Sequence, residues 1–254
     1  MKVGVFDSGI GGLTVAKSLL EHKLFEEIIY FGDTARVPYG VKDKNTIIRY
    51  SLEALEFFKN FEIDLFIAAC NTVSSHALDE LRANCDFGVV GVIEPGVLAL
   101  EKKIKDKNAN ILVIGTKATI SGGLYESYLR KLGYKNITSI ATGLFVPVVE
   151  EGIRKGDILE ALFEHYFGKL RKTKKIDGVI LGCTHFPLIA DEISRYLDGA
   201  VAIHSGEAIV EYLQDAHRVD ENFTKTKTSF FASENPNGLK KVAKNWLGEL
   251  ISNE

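Results

Sequence analysis

Short apolar runs that end in polar or glycine residues alternate along this chain with stretches whose apolar residues recur every three or four positions. Residues 2–6 (KVGVF) form the first run and stop at Asp7-Ser8-Gly9; residues 12–20 (GLTVAKSLL) follow with helical spacing. Residues 27–33 (EIIYFGD) are a second predicted strand. From Asp43, a plausible N-cap, Ile48, Leu52, Leu55 and Phe58 step by four and three, the spacing of an amphipathic helix. Residues 64–70 (DLFIAAC) predict a third strand, 72–84 a helix, and 87–92 (FGVVGV) a fourth strand. Near-continuous apolar strands separated by helices predict a parallel sheet covered on both faces.

The pattern then restarts. Residues 109–116 (ANILVIGT), 136–143 (NITSIATG), 177–183 (DGVILGC) and 199–204 (GAVAIH) predict four more strands. Asp157 opens a helix predicted to carry Ile158, Leu162, His165, Tyr166 and Leu170 along one side. Residues 227–232 (KTSFFA) predict a late strand and 239–251 a final helix, which periodicity alone assigns to neither half. The two series are related. DLFIAACNT (64–72) aligns with DGVILGCTH (177–185), matching Asp, Ile and Cys at an offset of 113 positions, and VGVFDS aligns with ILVIGT, where Ser8 meets Thr116 at an offset of 108. The expected class is therefore α/β, with two pseudo-symmetric domains, mostly parallel sheets and a cleft between them.

Charge and composition narrow the partners. A net charge of -3 offers no basic field for nucleic acid or anionic lipid. No apolar run approaches the roughly 18 residues of a membrane span. Asp7 interrupts the apolar N-terminus, so no signal peptide is read there and the expected location is cytoplasmic. The three cysteines are then expected as thiols rather than a disulfide framework.

Ligands of open α/β sheets bind beyond the carboxyl ends of the strands. Four strands end in reactive or hydrogen-bonding groups: Asp7-Ser8, Cys70-Asn71-Thr72, Thr116, and Cys183-Thr184-His185. If the halves face each other, Cys70 and Cys183 stand on opposite walls of one cleft. Each precedes an expected helix, whose N-terminus would lower a thiol pKa and bind a carboxylate. A base on one side of a carbon and an acid on the other can invert a stereocentre, and a thiol can serve as either. Other readings stand beside this one. A cysteine after an apolar strand can simply be a small buried hydrophobe, the reading given to Cys85. Cys183 and His185 could be metal ligands with His76, or a Cys-His hydrolase dyad. DSGIGG (7–12) reads as a tight turn with backbone N–H groups open to an anion, VPYG (37–40) as a surface turn, and Glu150-Glu151 as a solvated helix face. His204 and Glu207 read as a turn and a helix start.

DSGIGGLTV, PYG, AACNT, IGTKAT, FVPVVEEG and LGCTHFPL, in this order over nearly the whole chain, resemble the glutamate racemases of the cofactor-independent aspartate/glutamate racemase superfamily. The resemblance implies interconversion of L- and D-glutamate without pyridoxal phosphate, metal or other cofactor, supplying D-glutamate for peptidoglycan. It implies that Cys70 and Cys183 transfer the protons, that Asp7 assists Cys70 and His185 assists Cys183, and that Glu150, or its neighbour Glu151, is a further acid. Substrate contacts would fall on Asp7, Ser8, Pro38, Tyr39, Gly40, Asn71, Thr72, Thr116, Thr119, Thr184 and His185. It also implies a first domain of residues 1–92 plus 207–254, a second of 93–206, and a homodimer. Aspartate or another small acidic compound is the alternative substrate, and a non-catalytic binding protein the alternative class. No Arg or Lys lies within the four strand-end motifs, so neutral donors would hold the substrate's carboxylates, with Lys117 free to point outward.

Overall fold

The computed structural model describes residues 1–216 and 223–251. Their strands form two sheets. The first contains β1 (Lys2–Asp7), β2 (Glu27–Gly32), β3 (Leu65–Ala68), β4 (Gly88–Gly91) and β9 (Lys227–Ala232), in the order β4-β3-β1-β2-β9. The second contains β5 (Asn110–Gly115), β6 (Asn136–Ala141), β7 (Gly178–Gly182) and β8 (Val201–His204), in the order β6-β5-β7-β8. All adjacent strands are parallel. Val3, Phe6, Leu65, Phe66, Ile111, Leu112, Val179 and Ile180, which face both ways from the two sheets, are fully or almost fully buried, as helices on both sheet faces require.

The internal repeat is also a repeat of topology. In each half the first strand lies between the second and the third, so the chain reverses its winding beside β1 and again beside β5. Shifted by the two offsets, 108 and 113, the pair Phe6–Ala68 lands on Ile114–Leu181, which is itself a register pair. Asp7-Ser8 and Cys70 therefore leave the β1/β3 switch point as Thr116 and Cys183 leave the β5/β7 switch point. In doubly wound sheets that is where ligands bind.

Strand β9 extends the first sheet by pairing with β2. The helix Ser205–Ala216 packs against Leu13–Glu21 in the first half and Ile93–Lys103 in the second, so it bridges them. Of the segment 207–254 expected in the first domain, residues 217–222 and 252–254 lie outside the described residues.

Several elements depart from their predicted form. The helix expected over 72–84 is two short helices, Asn71–His76 and Leu78–Ala83, with Ala77 at φ -120° between them. The helix Asp157–Thr173 buries Leu159, Phe163 and Phe167, while Ile158 is exposed; the three buried side chains follow an i, i+4, i+8 stripe that meets Phe145 and Tyr196. The last helix starts earlier, at Pro236, because Asn235 caps it by accepting the Gly238 N–H, and it stops at Gly248, whose φ of 54° suits glycine.

Close approach of the halves depends on glycine at Gly11. A Cβ there would lie 2.3 Å from Thr184 Oγ1 and 2.6 Å from the His185 ring. Gly11→Ala is expected to destabilise the fold by about 1–3 kcal/mol through overpacking. Gly143→Ala, where a Cβ would meet nothing within 4 Å, is expected to cost less than about 0.5 kcal/mol. Urea denaturation of both variants checks the difference; equal costs would refute the contact.

Candidate active site

Cys70 and Cys183 are nearly buried, at 6% and 7% exposure. Each follows the last residues of its strand, and contacts join them into one site. The Cys70 thiol lies 3.5 Å from Ser8 Oγ. Next to Ser8, the Asp7 carboxylate accepts the Gly9 N–H at 2.9 Å and the Thr184 hydroxyl at 3.3 Å. Thr184 sits between Cys183 and His185, whose Nδ1 is 3.8 Å from Cys183 Sγ. The far ring nitrogen, Nε2, meets Glu150 Oε1 at 2.8 Å. Glu150 ends the short helix Phe145–Glu150 and reaches His185; Glu151, one position on, is exposed. Both glutamates are exposed, as expected of a solvated helix face, but Glu150 also reaches inward to His185.

Burial and charge set the protonation of these groups. The Cys70 thiol is pushed up to about 12, first by burial and then by the charge of Asp7, with the Ser8 hydrogen bond and the Val73 N–H acting weakly the other way. This overturns the expected lowering by a helix N-terminus: the helix after Cys70 is only six residues long, and desolvation outweighs it. Cys183 precedes not an α-helix but a 3-10 turn, Phe186–Ile189. Burial also pushes the His185 imidazole down, yet its contacts with Cys183 and Glu150 and the charges of Cys183 and Asp7 outweigh that and raise it to about 10. Burial raises Asp7 above its ordinary range, although His185 and the N–H groups of Gly9 and Gly12 oppose the rise.

A cluster of neutral donors bridges the two halves. Thr72 Oγ1 from the first half lies 2.9 Å from Thr116 Oγ1 and 3.1 Å from Thr119 Oγ1, which are 3.0 Å apart. Three hydroxyls thus meet across the cleft. Gly40 is buried against Thr116, where a Cβ would come within 2.5 Å. The segment VPYG is therefore more than a surface turn. Tyr39 is buried and donates its hydroxyl to Asp33; Pro38, which follows a cis peptide bond, is exposed. Lys117 is exposed. His76 stays out of the site and holds the halves together, with Nε2 2.8 Å from the Ala118 carbonyl. Cys85 donates to the carbonyls of Leu81 and Phe87 on the outside of the first half. No cluster of three metal-ligating side chains occurs among the described residues, and none of their helices is long and apolar enough to cross a membrane.

Three residues of this neighbourhood escape sequence reasoning. Tyr125 donates to Asn71 Oδ1 at 2.6 Å, and Asn71 Nδ2 donates to Ser205 Oγ at 3.3 Å. Thr14 donates to the Thr184 carbonyl at 2.8 Å. The amide of Asn71 is thus fixed by two partners from later in the chain, 54 and 134 positions away, and no local motif signals either. A concavity of about 750 Å³ opens elsewhere, beside β9 and the helix Pro236–Leu247, and none of these residues lines it.

Residues 15–213 match the family model for Asp/Glu/Hydantoin racemase. The chain belongs to that family. A glutamate racemase of Nitratiruptor is 62% identical over 97% of this chain and 96% of that relative. The solved glutamate racemase of Campylobacter jejuni is 55% identical and superposes with a TM-score of 0.94, covering 97% of this chain and 98% of that one. The Francisella tularensis glutamate racemase, solved in complex with D-glutamate, is 33% identical with a TM-score of 0.85 over 97% and 93% of the two chains. The relatives share the two-domain racemase fold; in this chain the Thr72–Thr116 and Thr184–Asp7 contacts join the two switch points.

The raised His185 pKa has a measurable consequence. A folded-state value above the ordinary 6.5 means that the charged ring's stabilisation is complete below pH 6.5 and is lost as pH rises through about 10. NMR of ring-labelled histidine is expected to show His185 still protonated at pH 8, with a lower midpoint in Glu150→Gln. A wild-type midpoint near 6.5 would contradict the geometry.

Proposed function

We propose that this chain interconverts L- and D-glutamate by taking the Cα proton with one thiolate and returning a proton from the other thiol on the opposite face. The observation that carries this reading is the placement of two cysteines at equivalent register positions of two halves, buried together. Relatives named as glutamate racemases over nearly the full chain support the substrate.

The proton balance is simple. Breaking the Cα–H bond leaves its electron pair on Cα and converts one thiolate to a thiol. Proton donation from the other thiol to Cα forms the new C–H bond and leaves a thiolate there. Turnover swaps the two sulfurs, and the reverse reaction resets them. In the resting protein Cys70 holds its proton, since burial and Asp7 push its pKa up. Charge on Cys183 is met by the His185 imidazolium, which Glu150 orients from behind. Asp7 acts on both sides, through its charge on Cys70 and His185 and its hydrogen bond with Thr184.

Carboxylates of the substrate would take the place of the mutual contacts among Thr72, Thr116 and Thr119, joined by donors from Ser8, Asn71, Thr184 and the Tyr39-Gly40 segment. Donors in a water-excluded site act far more strongly on developing charge than they would in water. The sulfurs are covered when the halves meet, so substrate entry includes their separation. The named relatives are bacterial, and D-glutamate made this way would feed peptidoglycan in the cytoplasm.

A circular-dichroism assay without added cofactor tests the proposal. Cys70→Ser and Cys183→Ser are each expected to lower kcat/KM for glutamate by about 10²–10⁴-fold, the usual contribution of a positioned acid or base. Either variant racemizing at the native rate would refute the two-thiol mechanism. Lys117→Ala is expected to leave the glutamate KM within about twofold, as for an exposed charge. Aspartate, shorter by one methylene, is expected to react about 10–200-fold less efficiently.

A further inference from the structure

Asp33 lies just beyond β2 and has no exposure to solvent, yet neither the repeat nor the two-thiol mechanism uses it. Its carboxylate gathers donors from three places. Arg36 Nε donates to Oδ2 at 2.6 Å, the Tyr39 hydroxyl donates to the same oxygen, and Ser233 Oγ donates to Oδ1 at 2.7 Å. The Asp33 backbone N–H is bound to the Asp7 carbonyl at 3.0 Å. A carboxylate buried with this many donors is retained in place of water, and removing one partner leaves the rest uncompensated.

Its partners lead to the cleft. Tyr39 is buried over Phe6 and Tyr50, and its pKa is raised by burial and by Asp33, so it remains a neutral donor. The next residue, Gly40, abuts Thr116 of the opposite half. Arg36 stacks 4.1 Å over the Tyr50 ring and also bonds Glu53. On the other side, Ser233 accepts the Ala35 N–H at 2.9 Å, and the Glu234 N–H donates to Thr34 Oγ1 at 3.0 Å. Ser233 and Glu234, just beyond β9, thus hold residues 33–35.

We infer that Asp33 is a positioning residue: its buried carboxylate pins the Tyr39-Gly40 segment over the cleft and ties that segment to the C-terminal return strand through Ser233. The inference rests on the proposed function for its kinetic consequence and on geometry alone for its structural one. Because the segment holds substrate without touching the transferred proton, loosening it weakens the ground and transition states alike. That changes KM and spares kcat.

Two readouts test this. Hydrogen exchange of full-length Asp33→Asn is expected to be at least about tenfold faster over residues 33–41 than in wild type, with β1 and β3 protected as before. Unchanged exchange in 33–41 overturns the inference whether or not the chain racemizes glutamate. If Asp33→Asn does not fold, Ser233→Ala carries the same test and the same outcomes. In the assay, Asp33→Asn and Tyr39→Phe are each expected to raise KM for both enantiomers about tenfold with kcat within about threefold. The double variant is expected to be no worse than the poorer single one, because Tyr39→Phe removes a bond that Asp33→Asn already weakens. Effects that multiply, or a fall in kcat at constant KM, overturn it. A wild type that fails to racemize glutamate refutes the proposed function instead, and the exchange result still decides the role of Asp33.

Discussion

Asp7 is a carboxyl group with no exposure to water, standing where the two halves meet. A buried charge is tolerated only when it is hydrogen-bonded and paired. Asp7 meets that condition with groups from both halves: the Gly9 amide on its own side, and the Thr184 hydroxyl and the charge of His185 on the other. The arrangement needs the halves in contact, which in turn needs Gly11 to lack a side chain. The same charge raises Cys70 and supports the protonated His185. One carboxylate thus couples domain contact to the protonation of Cys70 and His185.

These groups sit on a nearly symmetric frame. The sheets share strand order and register at their switch points, and the two cysteines leave equivalent strands. The surroundings differ. Cys70 faces a serine hydroxyl and an aspartate, whereas Cys183 faces an imidazole backed by a glutamate. In the proposed reaction the near-symmetric backbone sets the two thiols on opposite faces of one carbon, and burial beside Asp7 keeps the proton on Cys70.

What the sequence made legible follows from what is local in it. Apolar strands that end in polar residues mark the carboxyl edge of each sheet, and the matched offsets mark the equivalence of Cys70 with Cys183. The C-terminal helix carried its own start signal in Asn235-Pro236, though apolar spacing alone missed it. Long-range contacts were not legible. Tyr125 on Asn71 and Ser233 on Asp33 join residues 54 and 200 positions apart and have no local pattern. Glu150 ends its helix and Glu151 lies just past it; both are exposed, and only Glu150 bonds His185. The balance of desolvation against helix-end polarity at Cys70 is likewise a property of packing, and the sequence pointed the wrong way.

The central claim is that two separate groups, one on each face of Cα, handle the proton. Mass spectrometry of separated enantiomers after brief reaction in deuterium oxide tests it most directly, starting from either enantiomer. Early product is expected to carry solvent deuterium at Cα while recovered substrate carries almost none. Early deuterium in recovered substrate as abundant as in product would point to a single base serving both faces and would contradict the account.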